Sequence, residues 1–181
     1  DGKARAIIAN SGNANACAPQ GEENAERMCA AAAKAIGCKP EDVIVSSTGV
    51  IGQRINVEAI EEGVPALYAA MERSDAASDA AGHAIMTTDL VKKEAAVETT
   101  VGGKTVRIGG IAKGSGMIHP NMGTMLCFLT TDCAISPEMI KTALLETVNV
   151  SFNRISVDGD TSTNDTCCVL ANGLAVNETI T

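Results

Sequence analysis

The chain has 181 residues, of which 45% are hydrophobic and 20% charged, enough apolar side chain for a globular core and too much for a disordered segment. With no Trp, one Tyr and two Phe, that core has to be aliphatic. The formal charge is −8 and neither side of residue 123 is basic, which argues against a nucleic acid or an anionic membrane as the main partner.

Lys3–Ala9 reads as a strand, running into a polar loop over Asn10–Ala16. So little chain precedes this strand that an edge position is expected. A helix follows over Gly21–Ile36, with Ala25, Met28, Cys29, Ala32 and Ile36 on one stripe and Gly37 as its stop. Val43–Thr48 is a short apolar strand. Apolar residues then recur at helical spacing from Val57 to Met71, interrupted by Gly63 and Pro65, so two helical pieces are expected, the second opening at Pro65. A short helix covers Ser74–Met86. Ala95–Val101 and Lys104–Ile108, joined by Gly102-Gly103, carry a hairpin signature. Met125–Thr131 and Thr166–Ala171 are apolar enough for strands buried on both faces. Between them Ser136-Pro137-Glu138 opens a helix with an N-cap, a first-turn proline and an acid against the dipole. The hairpin breaks the βα rhythm, so the expected fold is an α/β (α+β) layered sandwich with mixed sheets, not a doubly wound sheet.

Seven cysteines stand at 17, 29, 38, 127, 133, 167 and 168. They form no CxxC pair and no Cys/His zinc spacing, so reduced thiols in a cytoplasmic protein, with no metal, are expected. No segment reaches the roughly 18 apolar residues that span a bilayer. A chain that opens on Asp1 also suggests that sequence upstream is missing, which leaves a targeting segment open.

The most informative stretch is Ala112–Asp132, a glycine-rich loop that runs into Gly123-Thr124 and a buried strand. A threonine hydroxyl is a poor nucleophile unless a base takes its proton. A free α-amine on the same residue, with a reference pKa of about 7.7–8.0, is one such base. Cutting the chain between Gly123 and Thr124 would create it: the Thr124 hydroxyl attacks the Gly123 carbonyl, the acyl group shifts from N to O, and water hydrolyses the ester. Glycine at 123 lowers the backbone cost of that geometry. On spacing alone, however, Thr124 is only a threonine at the start of a strand. Asn10, Asn13 and Asn15 read equally as a hydrogen-bonding floor or as an Asx-turn cluster. Asp158, Asp160 and Asp165 are not a calcium loop, since Thr163 and Val169 stand where such a loop needs Gly and Glu; they read as a structured turn near the site. His83 and His119 read as structural, His119 also as a candidate for assisting cleavage. Cys127, in a buried strand, is expected to have a raised pKa and not to be the nucleophile.

The self-cleavage region of the ornithine acetyltransferases (glutamate N-acetyltransferases) of arginine biosynthesis resembles this stretch. Four further segments resemble the same family, in the same order: Asn10–Cys17, Ser47-Thr-Gly-Val-Ile-Gly52, Ile85-Met-Thr-Thr-Asp89 and Val157-Asp-Gly-Asp-Thr-Ser-Thr-Asn-Asp165. The resemblance implies the fold of that self-processing family. It implies Thr124 as nucleophile, freed after Gly123, where the family more often has Ala. Thr48 and Gly49 then match the oxyanion pair, by hydroxyl and backbone N–H, and Thr87 and Lys113 match substrate-binding positions. Residues 1–123 would be part of an α chain and 124–181 the start of a β chain, in one apparently truncated domain, the two chains assembling as a heterotetramer. The implied reaction moves acetyl from N-acetylornithine to glutamate through acetyl-Thr124, with no cofactor, and acetyl-CoA serves some members as donor co-substrate. The family is considerably longer, so the chain alone is expected to be incomplete as an enzyme. The competing readings are another self-processing amidohydrolase, such as a β-peptidyl aminopeptidase, and an inactive module.

Overall fold

The computed structural model describes residues 2–119 and 125–181. The chain forms two compact units, Lys3–Thr87 and Thr88–Thr181, the latter joined by the N-terminal residues.

In the first unit, β1 (Ala6–Asn13) and β2 (Val43–Val50) pair in parallel, from Ala6 opposite Val43 to Asn13 opposite Val50. Parallel neighbours need a crossover, supplied by α1 (Gly21–Ile36). That helix buries Met28, Ala32 and Ala33 against Ile8 and Val43. Its first turn carries Glu22 and Glu23 and its last Lys34, the signs the helix dipole favours. It ends at Gly37, whose φ of 80° lies in the left-handed region, with the N–H groups of Gly37 and Cys38 both donating to the Ala33 carbonyl.

Two elements of this unit depart from expectation. β1 runs on through Asn13, where a loop beginning at Asn10 is expected, because the asparagines pair with the end of β2. The second helix, α2 (Val57–Ala69), is continuous and keeps Pro65 in its interior. Its caps and packing outweigh the missing bond at Pro65: Asn56 Oδ1 accepts the Ala59 N–H at 3.2 Å, and Val57 and Val64 are buried in the same cluster as Met28. Across the surface of α1 and α2, Arg27 bridges Glu61 at 2.9 and 2.5 Å and Glu58 at 3.2 Å. α3 (Asp75–Ala84) starts at Ser74, whose Oγ accepts the Ala77 N–H at 3.0 Å.

The second unit is a mixed four-stranded sheet in the order β3 (Lys93–Val101), β4 (Lys104–Lys113), β5 (Leu126–Thr131), β6 (Thr166–Ala171). β3 and β4 form the expected hairpin, with Gly102 and Gly103 at φ 55° and 76°, as a turn with two left-handed residues requires. β4 and β5 are antiparallel and β5 and β6 parallel, the last pair linked through α4 (Pro137–Val150), which Ser136 caps by accepting the Met139 N–H at 3.2 Å. β5 is largely buried, as its apolar run implies, whereas β6 is only half-buried despite its composition: it is an end strand of the sheet. The mixed sheet and its helices agree with the expected α/β class. No helix among the described residues is long and apolar enough to cross a membrane.

Candidate active site

Thr48 and Gly49 occupy the end of β2. Thr48 is 1% exposed, and its register partner is Ser11. Gly49 faces Gly12 across the ladder, with φ of 126° against 140° at Gly12. The two backbones approach so closely that a Cβ on Gly49 would overlap the Gly12 carbonyl. Only glycine fits there. Thr48-Gly49 is thus a buried hydroxyl followed by a backbone no side chain can shield. The same strand ends hold buried polar atoms that find no partner among the described residues, namely Asn10 Oδ1, Ser46 Oγ and Ser47 Oγ, with Asn24 Nδ2 on α1. Asn10 Nδ2 donates to the Asn13 carbonyl at 3.0 Å within β1, which is not an asparagine turn, since such a turn needs the side-chain oxygen to accept a backbone N–H two residues on.

Lys113 is the last residue of β4 and 2% exposed. Burial pushes its ammonium below the usual lysine range, the nearby Asp89 opposing the shift. Its register partner Leu126 lies two positions along the chain from residue 124. The sheet therefore brings the lysine alongside the strand start that follows the expected cut. The Asp89 side chain is fully buried and accepts from Lys93 Nζ at 2.6 Å and from the Gly114 N–H at 2.8 Å, fixing the backbone just past Lys113. In the sequence, the one signal that marks Asp89 is its place at the end of the Ile85–Asp89 motif. Thr87 is exposed, and the Thr88 hydroxyl lies 2.8 Å from Ser115 Oγ.

Gly123 and Thr124, the expected cleavage pair and nucleophile, lie outside the described residues. Their flanks do not. Met117 has a left-handed φ of 54° and donates its N–H to Asp158 Oδ2 at 2.7 Å. Met125 donates to Asp165 Oδ1 at 2.8 Å. His119 Nδ1 lies 3.3 Å from Ser156 Oγ, and His83 Nδ1 lies against the Asp79 carbonyl and carboxylate one turn earlier in α3, at 2.9 and 3.3 Å. Asp158 and Asp165 therefore have specific partners, where sequence alone suggests only a turn.

All seven cysteines are free. Cys127 and Cys167 are register partners on β5 and β6. Their thiol hydrogen bond, together with burial, pushes Cys127 far up, while the same bond lowers Cys167. Cys168, desolvated beside them, is pushed up to about 11. A thiol held protonated in this way is a poor nucleophile. Among the described residues no group of three or more His, Cys, Asp or Glu could hold a metal ion.

A mixed α/β fold with polar groups buried at its strand ends is the class these features define. Within that class the chain belongs to the ArgJ family, whose sequence model matches residues 1–181. It is 52% identical over 179 residues to the arginine biosynthesis bifunctional protein ArgJ 1 of Nostoc sp., covering 98% of this chain and 43% of that protein. To the glutamate N-acetyltransferase of Methanocaldococcus jannaschii it is 51% identical, covering 96% of this chain and 43% of that one. Two solved structures are similar. The bifunctional ArgJ of Bacillus halodurans has a TM-score of 0.59 at 42% identity, over 65% of this chain and 61% of that chain. The ornithine acetyltransferase of Mycobacterium tuberculosis in complex with ornithine has a TM-score of 0.53 at 32% identity, over 65% and 62%. The chain spans under half the length of the curated relatives it matches.

Proposed function

We propose that the protein carrying this chain transfers acetyl from N-acetylornithine to glutamate in arginine biosynthesis, after cutting itself between Gly123 and Thr124. The observation that carries this reading is the family match along residues 1–181, with the Thr-Gly pair, the lysine and the Gly-Thr pair all present in order.

The cut frees the Thr124 amine. That amine takes the proton of the Thr124 hydroxyl as its oxygen attacks the acetyl carbonyl of N-acetylornithine. The negative charge that develops on the carbonyl oxygen is met by the Thr48 hydroxyl and the Gly49 N–H, a contribution of about 2.7–4 kcal/mol per donor to the barrier. The proton passes to the departing ornithine nitrogen, leaving acetyl on the Thr124 oxygen. Glutamate attacks this ester, gives up a proton to the same amine, and leaves as N-acetylglutamate. Lys113 holds a substrate carboxylate, and that anion adds to Asp89 in offsetting the desolvation of its ammonium. Thr87 is the second substrate contact. The transfer needs no cofactor; acetyl-CoA is the second donor if the protein shares the bifunctional character that the Nostoc relative's name states. The cut halves stay together as α and β chains in a heterotetramer, and the free thiols fit the cytoplasm.

Incubation of the full-length protein with N-acetylornithine and glutamate tests this. Acetyl appearing on glutamate supports it; free acetate without transfer, or release of peptide N-termini, points to a hydrolase instead. Intact mass should show one fragment ending at Gly123 and one beginning at Thr124, and Thr124→Ala should abolish both cutting and transfer.

A further inference from the structure

One loop of the second unit reaches both flanks of residues 120–124. On the upstream side Asp158 accepts the Met117 N–H at 2.7 Å. Ile118 and Val157 exchange backbone bonds at 3.1 and 2.6 Å. On the downstream side Asp165 accepts the Met125 N–H at 2.8 Å, and the Thr166 N–H donates to the Met125 carbonyl at 2.9 Å. Both peptide planes of Met125 are thus fixed. The plane that carries the Met125 N–H also contains the α-carbon of residue 124, because a peptide unit is rigid and planar. A carboxylate 2.8 Å from that N–H therefore constrains the peptide unit through which residue 125 is joined to the one before it.

We propose that segment 156–165 is a clamp on both sides of the self-cleavage bond, and that Asp165 is a positioning residue for Thr124, acting through the Met125 N–H. This rests on the reading of Thr124 given above. Asp165 is well chosen for the task. Burial pushes its carboxyl up, and the Met125 N–H is the group that opposes this, so the carboxylate and that N–H stabilise each other in a partly desolvated place. Attack of an oxygen on a neighbouring carbonyl requires the reacting atoms to be held at about 3–3.5 Å, and misplacement by 1 Å can cost about a hundredfold in rate. The same contacts serve after the cut. The clamp belongs to the downstream fragment, yet it holds Met117 and Ile118 of the upstream one.

The test compares wild type, Asp165→Ala and Asp165→Asn in the full chain, by cutting rate from intact mass and by hydrogen exchange at the Met117 and Met125 amides. In wild type both amides are expected to be protected. Asp165→Ala should free the Met125 amide at least tenfold while leaving Phe128, deep in β5, protected, and should slow cutting about tenfold to a hundredfold. Asp165→Asn keeps an acceptor oxygen and should recover most of the rate; it also serves if the alanine variant fails to fold. Cutting that is unchanged in Asp165→Ala, although its Met125 amide is freed, overturns the positioning role. So does slowing shared by both variants together with loss of protection along β5. A wild-type chain that cuts while its Met125 amide exchanges freely overturns the clamp alone. A wild-type chain that stays whole with both amides protected overturns the reading of Thr124, and the positioning role with it.

Discussion

Gly49 and Lys113 occupy opposite extremes of what a single position can demand. Gly49 needs the absence of a side chain. A methyl group there meets the Gly12 carbonyl in a backbone conformation that L-residues rarely adopt. Gly49→Ala should lower stability by about 1–3 kcal/mol, read from the denaturant midpoint. Lys113 needs a charge where burial opposes one. Its folded pKa lies below its ordinary value, so folding binds the proton less tightly than the unfolded chain does. The burial cost is present in full below the lowered pKa and is relieved as pH rises through the window between that pKa and the ordinary value of 10.5. Wild-type stability should therefore gain on that of Lys113→Met as pH rises across that window in pH-dependent unfolding. At neutral pH the same substitution should cut kcat/KM for glutamate by about tenfold or more, the loss expected when one charge-assisted bond is removed.

Among the elements, α1 and α2 are coupled by burial underneath and by Arg27 on top. Hydrogen bonds from Arg27 hold the Glu61 carboxyl below the usual range; in Glu58 a backbone bond leads and Arg27 follows. A depressed carboxylate pKa contributes stability above its ordinary value of 4.5 and loses it as pH falls through the folded value. Arg27→Ala should accordingly destabilise the chain at pH 7 and converge with wild type in acid. Added salt should narrow the pH 7 gap, because the groups are exposed. Most elements were legible in the sequence: α1, α4 and the Gly102-Gly103 hairpin carry their own start, stop and turn signals within a few residues. Pro65 is a strong local signal for a break in α2, and the packing that overrides it, with Val57, Val64 and Met28 in one buried cluster, involves residues far apart in the chain.

For the whole molecule, the decisive pairing is β4 with β5. Six consecutive residue pairs, from Ile108 opposite Thr131 to Lys113 opposite Leu126, join strands on opposite sides of the proposed cut. Scission between 123 and 124 breaks one covalent bond and none of these. The fragments should co-elute in native size exclusion after complete cutting and separate only in denaturant. Separation under native conditions would contradict a sheet that spans the cut.

The amino-acid sequence alone determined the mixed α/β class, most element positions and the family motifs, because each of these is written in residues close together in the chain. The tertiary structure decided the rest. Thr48-Gly49 lies against Ser11-Gly12. Lys113 lies opposite Leu126. Asp158 and Asp165 reach back over 41 and 40 residues to Met117 and Met125. No local propensity encodes a bond of that span; it exists only once burial and strand pairing have set the register that brings its two ends together.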